Sequence, residues 1–154
     1  ADRHRALFPA PDDTARGMRL RWLFFASNTL HAELRRLFYA HVYVGPDATD
    51  QTLLRQYSCK AINRHLALLN DALPEDHEPD ILDWYTCAML RWCALYPRDI
   101  DRSWFDLTAF PALHAMAQRL EDRNSTRTAQ NAEGLGPTPF TAPRAPEPPE
   151  GSAL

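Results

Sequence analysis

Apolar residues recur along most of this chain at the three-to-four-residue spacing of a helix face, and nowhere with the alternation of a strand. Over 14–39 two adjoining stripes run together. Met18, Trp22, Phe25 and Thr29 form one, and Leu20, Leu23, Leu30, Leu34 and Leu37 the other. An apolar arc that wide predicts one long helix buried on two sides, as at a domain or subunit interface. Val44-Gly45-Pro46-Asp47 ends it. A second helix is predicted over 50–70. Leu54, Tyr57, Ala61, His65 and Leu68 lie on one face, with Leu53, Ile62, Leu66 and Leu69 beside them.

The sharpest start signal follows an acidic, proline-bearing loop. Asp80 suits an N-cap, and Asp83 stands three positions on, where its carboxylate can return to the cap's backbone N–H. This third helix is predicted to run to about Leu95 and to stop before Pro97. Shorter helices are predicted over 103–108, over 111–123 with Pro111 in the first turn, and over 125–132 closed by Gly134. From Gly136 the character changes. Six of the 13 prolines fall in the last 18 residues, which predicts a disordered or extended tail. The expected organisation is therefore an all-α bundle over 1–135 and a Pro-rich tail over 136–154.

Composition narrows the function classes. The 154 residues suffice for one cored domain. A net charge of −3 argues against a general nucleic-acid or anionic-membrane binder, because those need clustered positive charge. No apolar run approaches the roughly 18 residues of a membrane span, and the opening residues lack the apolar stretch of a secretory signal. Cys59, Cys87 and Cys93 are too few and too odd in number for a disulfide framework, so buried thiols in a reducing, cytoplasmic compartment are expected. Glu75, Asp76, His77 and Glu78 lack metal-ligand spacing and read as a solvated loop; no metal site is expected. Paired carboxylates at Asp80 and Asp83 read as helix capping rather than acid–base chemistry. His31, on Asn28-Thr29-Leu30-His31 between the apolar stripes, is the candidate functional residue, because an imidazole there can hydrogen-bond a sulfur or a carboxylate.

The segment from Arg19 to His31, with Trp22-Leu23 followed by Asn28-Thr29-Leu30-His31, resembles the first helix of the C-terminal domain in bacterial beta-class glutathione transferases. Asp80-Ile81-Leu82-Asp83 followed by Met89-Leu90-Arg91-Trp92 is similar to that family's capped core helix. Arg119 to Arg123 and Ala132-Glu133-Gly134-Leu135 are similar to its closing helices, and Ala1-Asp2-Arg3 to its interdomain linker. The resemblance implies a helical C-terminal domain in a cytoplasmic homodimer that adds the thiol of glutathione to hydrophobic electrophiles. It places the thiol-activating residue in a thioredoxin-like domain outside these 154 residues. To this chain it assigns His31 as an assisting residue beside the glutathione sulfur, Asn28, Thr29 and Leu30 in the same site, and Trp92 near the domain junction. The chain departs from the family pattern where Phe24 replaces an Asn, Thr29 an acidic residue and Ala32 a basic one, where Asp80 stands for a Ser/Thr cap, and where Arg123-Asn124 replaces Arg-Pro. Two other functions fit the same scaffold: glutathione-dependent disulfide or peroxide reduction, and a non-catalytic helical interaction module.

Overall fold

The computed structural model describes residues 7–74 and 78–147, and among them there are helices and turns but no strand. The elements in order are α1 (Arg16–Phe25), a π-helical turn (Ala26–Leu30), α2 (His31–Phe38), α3 (Ala40–Val44), α4 (Ala48–Ala72), α5 (Ile81–Leu95), a 3₁₀ turn (Leu107–Ala109), α6 (Pro111–Glu121) and α7 (Asn124–Glu133). The Ala1-Asp2-Arg3 linker likeness and Glu75 to His77 of the acidic loop lie outside the described residues.

The core lies where α2, α4, α5 and α6 face one another. Leu30, Leu34, Leu37, Ile62, Leu66, Leu90, Leu113 and Leu120 are fully or almost fully removed from solvent. Each such leucine contributes roughly 1.5–3 kcal/mol by leaving water. Of the two stripes read on α4, the one with Ile62, Leu66 and Leu69 is the core stripe, whereas Tyr57 and Leu68 face outward. The long first helix is interrupted and not buried on two sides. α1 has no buried residue, and Met18 and Phe24 are 54% and 60% exposed.

Caps explain the boundaries. Asp47 accepts the N–H groups of Thr49 and Asp50 at 2.8 and 3.0 Å and caps α4, which begins at Ala48, two residues before the expected Asp50. These backbone donors hold the Asp47 carboxyl below its ordinary range. The predicted capping box of α5 is present. Leu82 N–H donates to Asp80 Oδ1, and Asp80 N–H donates to Asp83 Oδ2, both at 2.8 Å. Pro111 opens α6, and Asn70 Oδ1 on α4 accepts from Ala112 and Leu113 N–H, a cap from 42 residues away. The helix expected over 103–108 is reduced to the single 3₁₀ turn. Asp101 binds Ser103 and Asp106 binds Thr108, and such side-chain bonds to nearby backbone compete with the helical ladder.

The tail also differs from expectation. Residues 136–147 pack on the bundle; 148–154 lie outside the described residues. Pro139 is fully buried, and the Phe140 ring meets Trp84 edge-on at 6.5 Å. Glu121 on α6 accepts from Phe140 N–H, Thr141 N–H and Thr141 Oγ, each at 2.8 Å. Buried Arg91 on α5 donates to the carbonyls of Pro139 and Arg144 at 3.1 and 2.9 Å. Proline-rich composition predicts disorder because such a chain buries little itself. Here the bundle supplies the donors and acceptors, and prolines, having no N–H, lose little by lying in a buried strap.

Candidate functional site

The site begins with the π turn. His31 N–H donates to Ala26 O, five residues back instead of four. The added residue turns everything after it about 100° around the helix axis relative to an unbroken α-helix. Leu30, fully buried, joins the core. His31 follows it at a half-buried position.

His31 Nδ1 lies 2.5 Å from the hydroxyl of Tyr85 on α5, with the two rings edge-to-face at 5.8 Å between centroids. Trp92, two helical turns beyond Tyr85 on the same face of α5, also meets the imidazole, tilted at 53° with ring centroids 5.3 Å apart. Burial pushes the Tyr85 phenol above its ordinary range, so it keeps its proton at neutral pH. In the Nε2–H tautomer the Tyr85 hydroxyl donates to Nδ1. The ring is then held against two aromatics with Nε2–H left to donate elsewhere.

The structure therefore brings His31 and Trp92 together and places Leu30 behind them in the core. Asn28 is exposed on the π turn and Thr29 half-buried. Tyr85 was not legible as a site residue. The available signal was its seven-residue spacing from Trp92, which sets both rings over one stretch of helix with the small Ala88 between.

Other titratable groups belong elsewhere. Buried Glu33 accepts from Ser58 Oγ at 2.6 Å and pairs with Arg36 at 2.9 Å, tying α2 to α4. His65 meets the Phe25 ring edge-on, and burial above all lowers its pKa. Cys87 and Cys93 are fully buried and Cys59 partly so, and all three are free thiols. Burial pushes the Cys59 thiol up to about 11 and raises Cys87 and Cys93 further, so none is a thiolate at neutral pH. Among the described residues no three His, Cys, Asp or Glu side chains cluster as metal ligands. No helix there is long and apolar enough to cross a membrane.

No family model matches the chain, and no curated protein does. Among solved structures, a bacterial beta class glutathione S-transferase of Sphingomonas chungbukensis is similar, with a TM-score of 0.63 and 24% identity over 84% of this chain. The chain spans 60% of the length of that structure. With helices alone in the described residues, the likeness defines the fold: an all-α bundle of the glutathione transferase C-terminal-domain type.

Proposed function

We propose that this chain is the helical half of a glutathione transferase, working with a thioredoxin-like domain that holds the glutathione. The observation that supports it best is the His31–Tyr85–Trp92 cluster, a half-buried imidazole with Nδ1 anchored on the Tyr85 hydroxyl. In this reading His31 Nε2–H donates to the glutathione sulfur. A neighbouring donor favours the thiolate over the thiol, and the thiolate is the nucleophile. With an aryl halide its sulfur forms a bond to the ring carbon as the carbon–halogen bond breaks and halide leaves, and the thiol proton has already left toward the other domain. Asn28 and Thr29 flank the sulfur, Leu30 braces the site from the core, and Trp92 forms an apolar wall for the electrophile.

The uncovered face of α1, with Met18 and Phe24, is where the second domain docks. Val42 and Tyr57, 67% and 68% exposed, belong to the surface used in a cytoplasmic homodimer. The test is turnover of glutathione with an aryl halide by the complete protein and by this chain alone. Conjugation by the complete protein with none by the isolated chain supports the proposal. A complete protein that reduces disulfides or peroxides with glutathione, without conjugating, replaces it with the reductase reading.

One observation favours a second reading. Phe24 presents a large apolar ring where the related pattern has a polar group, as a helical interaction module would. Absence of any glutathione binding by the complete protein would select that module.

A further inference from the structure

A cavity of about 470 Å³ lies between the turn after α5 and the docked C-terminal segment, lined by Leu95, Tyr96, Arg98, Arg102, Pro143 and Arg144 with two alanines. Three arginines line it and no carboxylate does. Both acids in the Arg98-Asp99-Ile100-Asp101-Arg102 run are engaged elsewhere. Asp99 pairs with Arg55 on α4 at 2.9 Å, and Asp101 accepts from the N–H and hydroxyl of Ser103. Among the described residues Arg98, Arg102 and Arg144 have no ion pair.

Two of the three are held in place. The Arg98 guanidinium lies over the Tyr96 ring at 5.5 Å, and Arg102 Nη1 donates to Leu95 O at 2.9 Å, leaving its remaining donors unused. The Arg144 carbonyl is gripped by Arg91, which fixes that residue's place on the cavity wall. Like charges around one concavity repel, and an anion there relieves the repulsion while filling rigid donor forks. Pro143 and two alanines, with the edges of Leu95 and Tyr96, give the apolar part of a mixed lining, and the volume lies within the ordinary range for organic ligands.

We propose that this cavity binds a small organic phosphate: a phosphomonoester whose dianion meets the exposed Arg98 and Arg102, and whose compact apolar or aromatic body lies against Pro143 and the exposed edges of Leu95 and Tyr96. A phosphomonoester dianion offers three terminal oxygens and up to two charges to the forks, where a carboxylate offers two oxygens and one charge. Because one wall belongs to the C-terminal segment, the ligand also holds that segment in its docked position. This inference is independent of the glutathione reading.

The test is calorimetric titration of the full chain with phenyl phosphate, inorganic phosphate, inorganic sulfate and benzoate at low and physiological salt. The expected result is one saturable site that prefers phenyl phosphate over the other three by about tenfold or more and weakens with salt. Arg98→Ala should weaken it about tenfold or more. Arg98→Lys should restore part of the loss, and Arg119→Ala, at an exposed position of α6, should change nothing. Circular dichroism and melting check that each variant is folded. No saturation at about 10 mM phenyl phosphate, an unchanged affinity in folded Arg98→Ala, or sulfate binding as tightly as phenyl phosphate would each overturn the proposal. So would binding of anionic vesicles in preference to any small phosphate.

Discussion

Arg19 and Asp80, 61 residues apart, form a two-pronged ion pair: Nε and Nη2 of the arginine donate to the two carboxylate oxygens, each at 2.6 Å. Nη2 also reaches Asp83 Oδ1 at 3.2 Å, so one guanidinium spans both members of the α5 capping box. The pair locks α1, which has little buried surface of its own, onto the start of α5. It also fixes the helix that bears His31 relative to the helix that bears Tyr85 and Trp92.

Asp80→Ala removes both a cap and a partner of a mostly buried cation. A lost cap alone costs about 1 kcal/mol, and taking one of two carboxylates from a mostly buried cation, which keeps Asp83, adds about 2 kcal/mol. The expected loss is about 3 kcal/mol by chemical denaturation. In a double-mutant cycle with Arg19→Met, the losses should be clearly less than additive. Additive losses would mean that the pair contributes nothing beyond the cap.

The docked segment predicts a second set of outcomes. Truncation after Leu135 removes two carbonyls that Arg91 holds, strands Glu121 and uncovers Trp84, so the melting temperature should fall by about 5 °C or more. Glu121→Ala should reproduce part of that fall, about 2 kcal/mol. Gly134, at φ +61°, lies so close to the Glu147 carbonyl that a Cβ would meet its oxygen at 1.8 Å. Gly134→Ala should therefore loosen the segment, read as faster hydrogen exchange at Phe140 and Thr141. A truncated chain that melts unchanged would contradict the docking.

Alkaline stability follows from the thiols. Burial raises the Cys59 thiol from 9.0 to about 11, so above pH 9 the unfolded chain loses this proton before the folded one does. The stabilisation is complete below pH 9 and disappears as pH rises through about 11. The shift of about two units sets a ceiling near 2.7 kcal/mol, and partial solvent access reduces it to about 1 kcal/mol. Melting temperatures should decline across this window, and Cys59→Ala should flatten the decline in part, since Cys87 and Cys93 add to it. An unaltered slope in Cys59→Ala would contradict the assignment.

The sequence revealed what local chemistry decides. The Asp80–Asp83 box, Pro111 at the start of α6 and the Gly134 cap all follow from backbone groups within a few residues. Periodicity also marked the core leucines Leu30, Leu34, Leu37, Leu66 and Leu69, although it could not tell them from Leu53 and Leu68, which are exposed. The π turn was hidden, since one shifted hydrogen bond leaves the apolar spacing nearly intact. Arg19, Asn70 and Glu121 were hidden because their partners lie 19 to 64 positions away. His31 stood out as a histidine amid apolar stripes. Tyr85, which orients it, looked like any core-facing tyrosine.

His31 carries the functional claim. The direct measurement is steady-state glutathione conjugation by the complete protein with His31→Ala and with Tyr85→Phe, alongside melting temperatures. Loss of one active-site donor of about 1.5–3 kcal/mol predicts a roughly ten- to hundredfold fall in turnover for His31→Ala. Tyr85→Phe should cause a smaller fall, because the imidazole keeps its donor but loses the anchor on Nδ1. Both variants should melt within about 3 °C of the parent protein. Unchanged turnover in His31→Ala together with a melting temperature lowered by more than that would make the histidine a structural brace between α2 and α5 and contradict the account.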